Sequence, residues 1–457
     1  MITKKADIII IGAGLTGLSM AYFLKKNGRK PLLLEKSGRP GGVINTYNDQ
    51  DFIYESGPNT GVLANKEIVS LFDDLKEYCT LETGNKDSKK RYIMKNSKWH
   101  ALPSGFFSAI STPLFTLKDK FRILGEPFRK PGSNPDESVA EMVIRRLGKS
   151  YLDYAVDPFI SGIYAGDPEK LVTRYALPKL YNLEHNYGSF IKGSYYKNRE
   201  KKSEEEKKVT REIFSASGGL INLINALEKN IGPDCIKYNT ENLTTDSIPS
   251  GFSVYFSDNN GVKYNINTRT LISTVGSYCL TDIFPFLPVE KVSPILNLKY
   301  AGIIQVAAGF TNWSGPPLDA FGGLIPSKEN KNILGILFPS AIFKNRAPEN
   351  GALLSVFLGG IKNNKLINEN DDNIKSIVLN EIKNSMLNND KPGLLRIFRY
   401  KYAIPQYEKS SGLRIESIKK IQEDYPGLIL AGNIRDGIGM ADRVKQARDI
   451  ADLLKNK

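Results

Sequence analysis

A chain of 457 residues has the length for two or three domains with sizeable cores. Its 41% apolar and 10% aromatic content is ordinary for a globular protein, and no run of about 18 apolar residues marks a membrane span. The formal net charge of +14 favours an anionic partner, yet RNA-binding signatures, zinc-finger spacing and basic–aromatic interleaving are all missing, which argues against nucleic acid.

His100 and His185 are the only histidines, so a histidine-based metal site or triad is not expected. Cys79, Cys235 and Cys279 lie far apart in odd number and form no metal or redox motif, as in a reducing compartment. The motif that organises the chain comes first. Ala6–Ile11 reads as a β-branched strand, Gly12-Ala13-Gly14-Leu15-Thr16-Gly17 opens an amphipathic stretch to Asn27, and Pro31–Leu34 reads as a second strand closing on Glu35. Strand, G-x-G-x-x-G, helix, strand and acid make a dinucleotide-binding unit. Gly12 permits the tight turn, Gly14 the approach of a pyrophosphate and Gly17 close packing of helix on strand. The helix N-terminus faces the phosphates, and Glu35 can accept from a ribose hydroxyl.

A second glycine cluster, Lys36-Ser37-Gly38-Arg39-Pro40-Gly41-Gly42-Val43, would bring more N–H groups and an arginine to the ligand, which suits FAD better than NAD. Phe52–Glu55 then runs as a strand into the turn Ser56-Gly57-Pro58-Asn59-Thr60. Residues 62–79 show helical spacing, and Arg91–Met94 resumes as a strand. From Phe106 to Leu124, Phe106, Phe107, Ile110, Leu114, Phe115, Leu117 and Phe121 alternate with Lys118, Lys120 and Arg122. That pattern suits a core helix or a helix resting on a bilayer surface. Pro135-Asp136 predicts a helix over 136–152, and Lys197–Lys208 a solvated loop.

Further on, Gly218-Gly219 predicts a turn before a helix to residue 230, and 251–275 a hairpin turning near Asn260-Gly261 followed by a buried strand. Strands recur from Gly302 to Gly360, with two helical segments near 372–387. The C-terminus repeats the opening logic. Gly427–Asn433 is a strand running into a glycine loop, and Met440, Val444, Ala447, Ala451 and Leu454 follow at helical spacing after Gly437-Ile438-Gly439. A helix N-terminus placed there against a flavin would favour negative charge at N1 and C2=O of the reduced ring.

Over nearly the whole length the sequence resembles the FAD-dependent, oxygen-dependent protoporphyrinogen oxidases, the group that includes coproporphyrinogen III oxidases. The carrying motifs are the opening glycines, Glu55-Ser56-Gly57-Pro58-Asn59-Thr60 and His100-Ala101-Leu102-Pro103-Ser104-Gly105. Ser161-Gly162-Ile163-Tyr164-Ala165-Gly166-Asp167-Pro168, Ile404-Pro405-Gln406-Tyr407 and Ala431-Gly432-Asn433 complete the set. The resemblance implies an α/β flavoprotein. Its Rossmann-like FAD domain of the p-hydroxybenzoate-hydroxylase type would span 1–85, 212–280 and 400–457. A mixed-sheet substrate domain would span 86–102 and 281–399, a helical membrane-associating part 103–195 and a polar loop 196–211.

By position, the resemblance assigns FAD to Gly12, Ala13, Gly14, Leu15, Thr16, Gly17, Glu35, Lys36, Gly42, Val43, Gly57, Pro58, Asn59 and Thr60. Ile438, Gly439 and Met440 would lie beside the isoalloxazine. Arg91 would hold a substrate carboxylate, with Asn59, Gly162, Phe321, Gly322 and Phe357 around the macrocycle. No metal and no side-chain base are implied. The departures are Asn242 or Leu243 where a valine meets adenine, Gly412 near an aromatic position, and Arg435 for an aromatic. The Pro-Asn-Thr turn replaces the Pro-Asp-Ser of the coproporphyrinogen branch.

The implied activity is oxidation of protoporphyrinogen IX to protoporphyrin IX in haem synthesis, with O2 as acceptor and peroxide released. Coproporphyrinogen III oxidation is the alternative. An amine-oxidase- or desaturase-like enzyme, or a non-catalytic FAD-binding partner protein, shares only the first motif. The implied setting is cytoplasmic, at the inner membrane surface, with ferrochelatase or a second copy as partners.

Overall fold

The computed structural model describes residues 1–200 and 203–455. Ile8–Ile11 forms a strand with all four side chains buried, as the apolar run requires when both faces of a parallel sheet are covered. It lies central in a five-stranded sheet ordered Ile236–Lys237, Pro31–Leu34, Ile8–Ile11, Thr270–Ser273, Leu428–Leu430. Every pairing in it is parallel. Alternation divides the four isoleucines between two cores. Ile8 and Ile10 pack under the helices Leu15–Lys26, Ile221–Ile231 and Met440–Leu453, while Ile9 and Ile11 meet Leu271, Phe252, Ile418 and Ile421 on the opposite face. Burying one such side chain stabilises the fold by about 1.5–3 kcal/mol.

The three helices run side by side in one direction. Asn27 donates to the Ala451 carbonyl at 3.2 Å, and Lys25 to those of Asn230 and Ile231 at 3.0 and 2.8 Å, so their C-terminal ends lie together. Their N-termini therefore share the opposite end, beside the C-terminal edge of the sheet, where ligands bind in open α/β sheets.

A second, seven-stranded sheet is ordered Leu394–Pro405, Tyr300–Phe310, Ala352–Gly359, Ile333–Leu337, Ala320–Leu324, Lys90–Lys95, Lys98–Ala101. It is mixed, because Lys90–Lys95 runs parallel to Ala320–Leu324 and the other pairs are antiparallel. One face, carrying Ile304, Val306, Leu354 and Val356, packs on Ile374, Val378 and Ile382 of the Asp371–Met386 helix. That helix is continuous where two segments were expected, and Asn370 caps its start by accepting from the Asn373 N–H.

A helical region covers the rest. Its Val139–Arg146 helix starts three residues later than Pro135-Asp136 suggests, since Ser138 and Glu141 form a reciprocal capping box there. The region has a charged core. Arg146, fully buried, lies 2.6 Å from Glu184 and bonds the carbonyls of Glu126, Arg129 and Gly188. Glu126, equally buried, accepts from the Ser189 hydroxyl at 2.6 Å and the Phe190 N–H at 2.9 Å.

Other expectations shift similarly. The helix expected within 62–79 is Lys66–Asp74. The Phe106–Leu124 stretch is two helices, Phe106–Ser111 and Leu117–Leu124, whose Phe107, Leu117 and Phe121 are exposed while Leu114 and Phe115 are buried. The expected loop at 196–211 is partly helical: Phe190–Arg199 runs into it, and Ser203 caps the turn Glu204–Lys207, while Lys201 and Lys202 lie outside the described residues. The boundary expected at 400 falls inside the Leu394–Pro405 strand, which belongs to the seven-stranded sheet throughout.

Candidate active site

The opening glycines make a turn that no other residue could. Gly12 has φ +99°, and a Cβ on Gly17 would stand 2.0 Å from the Gly12 carbonyl oxygen. Gly41 donates to the Ala13 carbonyl at 2.8 Å and pairs with Gly14 in a short bridge, so the two glycine clusters form one cradle. Glu35 closes it from below. Its carboxylate accepts from the Ala13 N–H at 2.7 Å and from the Ser37 N–H and hydroxyl at 2.9 and 2.8 Å, with lone pairs to spare. Arg39, expected to reach towards the ligand, instead bonds the carbonyls of Pro40, Gly42 and Ile44 and shapes the loop. Lys36, Gly42 and Val43 are exposed on that loop.

Two helix N-termini end here under glycine caps, Gly14 and Gly439, which offer no side-chain acceptor. Asp442 accepts from the Gly439 N–H at 3.2 Å, but the first-turn N–H groups of both helices remain available to an anion. Ile438 and Met440 flank Gly439 at the start of the closing helix. The third N-terminus is already occupied by side-chain acceptors. Glu55 accepts from the Leu220 N–H at 2.9 Å and the Thr46 hydroxyl at 2.7 Å, and burial pushes its carboxyl up to about 7.

The turn after Glu55 joins the two sheets. Gln305 donates to the Glu55 carbonyl at 2.7 Å, Tyr400 to the Ser56 carbonyl, and Ser355 to the Asn59 side-chain oxygen at 2.7 Å. The Asn59 amide also donates to the Gly57 carbonyl at 3.1 Å, and a Cβ on Gly57 would be 2.1 Å from the Val43 carbonyl oxygen. Asn59 is thus a buried strut of the cradle, with Pro58 and Thr60 half-buried beside it. Gln305, Ser355 and Tyr400 were not anticipated. The one available signal was a lone glutamine amid Ile303, Ile304, Val306 and Ala307.

Register assembles the other wall. Arg91 pairs with Gly322, Gly322 with Leu337 and Leu337 with Ser355; Ile93 pairs with Leu324, Leu324 with Gly335 and Gly335 with Phe357. Cross-strand partners share a face, so Arg91, Gly322 and Phe357 lie on the same face as Gln305 and Ser355. Gly322 must be glycine, since its φ is +150° and a Cβ would meet the Ile336 carbonyl oxygen at 2.3 Å. Arg91 is exposed with its guanidinium 5.6 Å from the Phe321 ring, and no carboxylate pairs with it among the described residues.

The Asp157–Tyr164 helix lies over this wall, where a Cβ on Gly162 would stand 2.6 Å from the Leu324 side chain. The helix ends at Ala165 in the left-handed region, φ +47°, and Gln406 donates to the Tyr164 carbonyl at 2.9 Å. The Tyr-Ala-Gly-Asp-Pro and Ile-Pro-Gln-Tyr motifs are therefore two halves of one helix stop. The arrangement offers a nucleotide cradle with two positive helix ends, an apolar wall beside it and one unpaired guanidinium at the rim.

The family model for flavin containing amine oxidoreductase matches residues 15–454. Protoporphyrinogen oxidase 2, chloroplastic/mitochondrial, of Arabidopsis thaliana is 30% identical over 481 residues, covering 98% of this chain and 93% of that protein. Coproporphyrinogen III oxidase of Bacillus subtilis strain 168 is 28% identical over 464 residues, covering 97% of each. In three dimensions, a candidate protoporphyrinogen oxidase from Exiguobacterium sp. 255-15 superposes with a TM-score of 0.81 at 21% identity, covering 99% of both chains.

Proposed function

The chain belongs to the flavin-containing amine oxidoreductase family, and from that premise we propose that it oxidises protoporphyrinogen IX to protoporphyrin IX with O2 as the final acceptor. FAD, held along Gly12–Gly17, Glu35, the Gly41–Gly42 loop, the Gly57–Thr60 turn and the Ile438–Met440 helix start, supplies a two-electron acceptor when bound. The cradle fits it: two uncapped N-termini suit a pyrophosphate and an electron-rich ring edge.

What supports the substrate reading is the sheet face that brings Arg91, Gly322 and Phe357 towards the Gly162 crossing, with the Phe321 ring 5.6 Å from the Arg91 guanidinium. A porphyrinogen is a broad apolar ring with carboxylate arms, and needs an apolar wall with a cation at its edge. Arg91 can grip a carboxylate bidentately. Gly162 lets the Asp157–Tyr164 helix close onto Leu324, and Gly322 lets its strand close onto Ile336, so the wall is tightly packed from behind. Positioning of a methylene bridge is then the main contribution of these residues to rate. Protons released from pyrrole nitrogens pass to water.

Membrane-surface binding belongs to the same proposal. No helix among the described residues is long and apolar enough to cross a bilayer. Leu117, Phe121 and Leu124 are each about 70% exposed on one short helix carrying Lys118 and Lys120. Flotation with anionic liposomes tests this, and Phe121→Asp should weaken it; equal recovery from both chains would remove that role.

Anaerobic mixing tests the activity. Flavin absorbance should bleach with protoporphyrinogen and stay unchanged with benzylamine or phytoene; no bleaching with any porphyrinogen would sink the proposal. Coproporphyrinogen III oxidation is the competing reading, since relatives bear both names. A higher kcat/KM on coproporphyrinogen III would install it.

A further inference from the structure

Two buried and poorly satisfied guanidinium groups lie at the closing helix. After Gln406 the chain places Tyr407 against the Ser411–Asp424 helix, and the Arg414 guanidinium stands 5.6 Å from the Tyr407 ring. Arg414 is 1% exposed, Tyr407 4% and Arg443 8%. Nε and Nη2 of Arg414, Nε of Arg443 and the Tyr407 hydroxyl all lack a hydrogen-bond partner. Arg443 has Asp436 at 3.5 Å, a carboxylate more than half exposed, and Asp442 near it. Arg414 has no acidic partner among the described residues; its polar neighbours are the phenols of Tyr407, Tyr300 and Tyr175.

An unpaired buried cation costs several kcal/mol, and native chains rarely leave such groups unsatisfied. Arg443 also rises from the first turn of the closing helix, and helical side chains lean towards the N-terminus. Its charge therefore adds to the positive end of the dipole at Gly439, where the opening helix also points.

We propose that Arg414 and Arg443, meeting at Tyr407, are positioning charges that hold the negative charge of two-electron-reduced flavin and so raise its reduction potential. Hydride transfer from the substrate carries two electrons and a proton to the ring, while the substrate's N–H proton leaves to water. The ring is left with one added negative charge, and a fixed positive field in a dry site lowers its energy. This rests on the reading that the flavin ring lies against Ile438–Met440.

The experiment is a dye-equilibrated potential titration of the FAD-loaded full chain, with bound FAD measured after gel filtration. Arg414→Gln should shift the oxidised-to-reduced ratio at least tenfold towards oxidised, about 30 mV more negative for a two-electron couple. Protonation of the reduced ring should appear at higher pH, and Arg414→Lys should restore both values. Arg443→Gln gives the same readout should Arg414→Gln fail to fold. Full FAD content with an unchanged potential in the folded Gln variants would overturn the proposal and leave the cluster a packing device. A wild-type chain that holds no FAD would remove the functional reading beneath it instead.

Discussion

Glu55 shows how a single residue can tie stability to pH. Its carboxyl is raised from 4.5 to about 7 by burial, against the opposing bonds from Leu220 and Thr46. A raised folded value means the native state holds the proton more tightly than the unfolded chain. The contribution is therefore complete below about 4.5 and lost as pH climbs through about 7, a window of about 3 kcal/mol. Glu55→Gln mimics the protonated form, so the difference between its unfolding free energy and that of the wild type should vary across pH 4.5–7 and level off outside it. A constant difference would mean that the carboxyl is already ionised in the fold. Arg91 operates at the same scale with a different readout. Arg91→Ala should raise KM about tenfold or more with kcat nearly unchanged, and Arg91→Lys should recover only part, because lysine lacks the fork. An unchanged KM would free Arg91 of its assigned role.

At the level of elements, the helical region is held by charge where the two sheets are held by apolar contact. Arg146→Met leaves Glu126 buried without a cation and Glu184 with Arg145 alone, and should cost about 3–5 kcal/mol in urea unfolding. Asp74→Ala, which breaks the exposed pair with Lys26 at 2.6 Å, should cost under about 1 kcal/mol. Similar losses for both would show that the buried network is not a framework. The elements also explain what a sequence can disclose. The opening strand–turn–helix was legible because its signals are local: four consecutive isoleucines, three glycines and an acid. The closing helix was legible through Met440, Val444, Ala447 and Ala451, which are all buried. The start at Ser138 was readable in principle from Ser-x-x-Glu, but Pro135-Asp136 offered a competing signal. Gln305 shows only as a lone glutamine in an apolar run, and Ser355 carries no local signal. Their partners lie far along the chain, 250 residues away for Gln305 and 296 for Ser355. Arg91, Phe321, Gly322 and Phe357 could be named by resemblance, but the sharing of one face by Arg91, Gly322 and Phe357 follows only from strand register, which periodicity does not encode.

At the scale of the whole molecule, the central sheet orders its strands 236, 31, 8, 270 and 428 by their starting residues. Each half of the cradle therefore waits on segments from the far end of the chain. A chain stopped after Pro426 loses the edge strand and the closing helix, and should retain no flavin on gel filtration. A yellow, folded product would show that the opening unit binds FAD alone. During synthesis at roughly 5–20 residues per second, the Ile8–Ile11 strand leaves the ribosome tens of seconds before Leu428–Leu430 can seal the far edge of the same sheet. Its apolar faces must be sheltered for that interval. A cofactor that binds only the finished arrangement, as the truncation is expected to show, would extend its stabilisation, RT ln(1 + [FAD]/Kd), to complete chains alone. Flavin supply in the cell would then act as a quality check on synthesis, protecting finished copies and leaving interrupted ones to proteolysis.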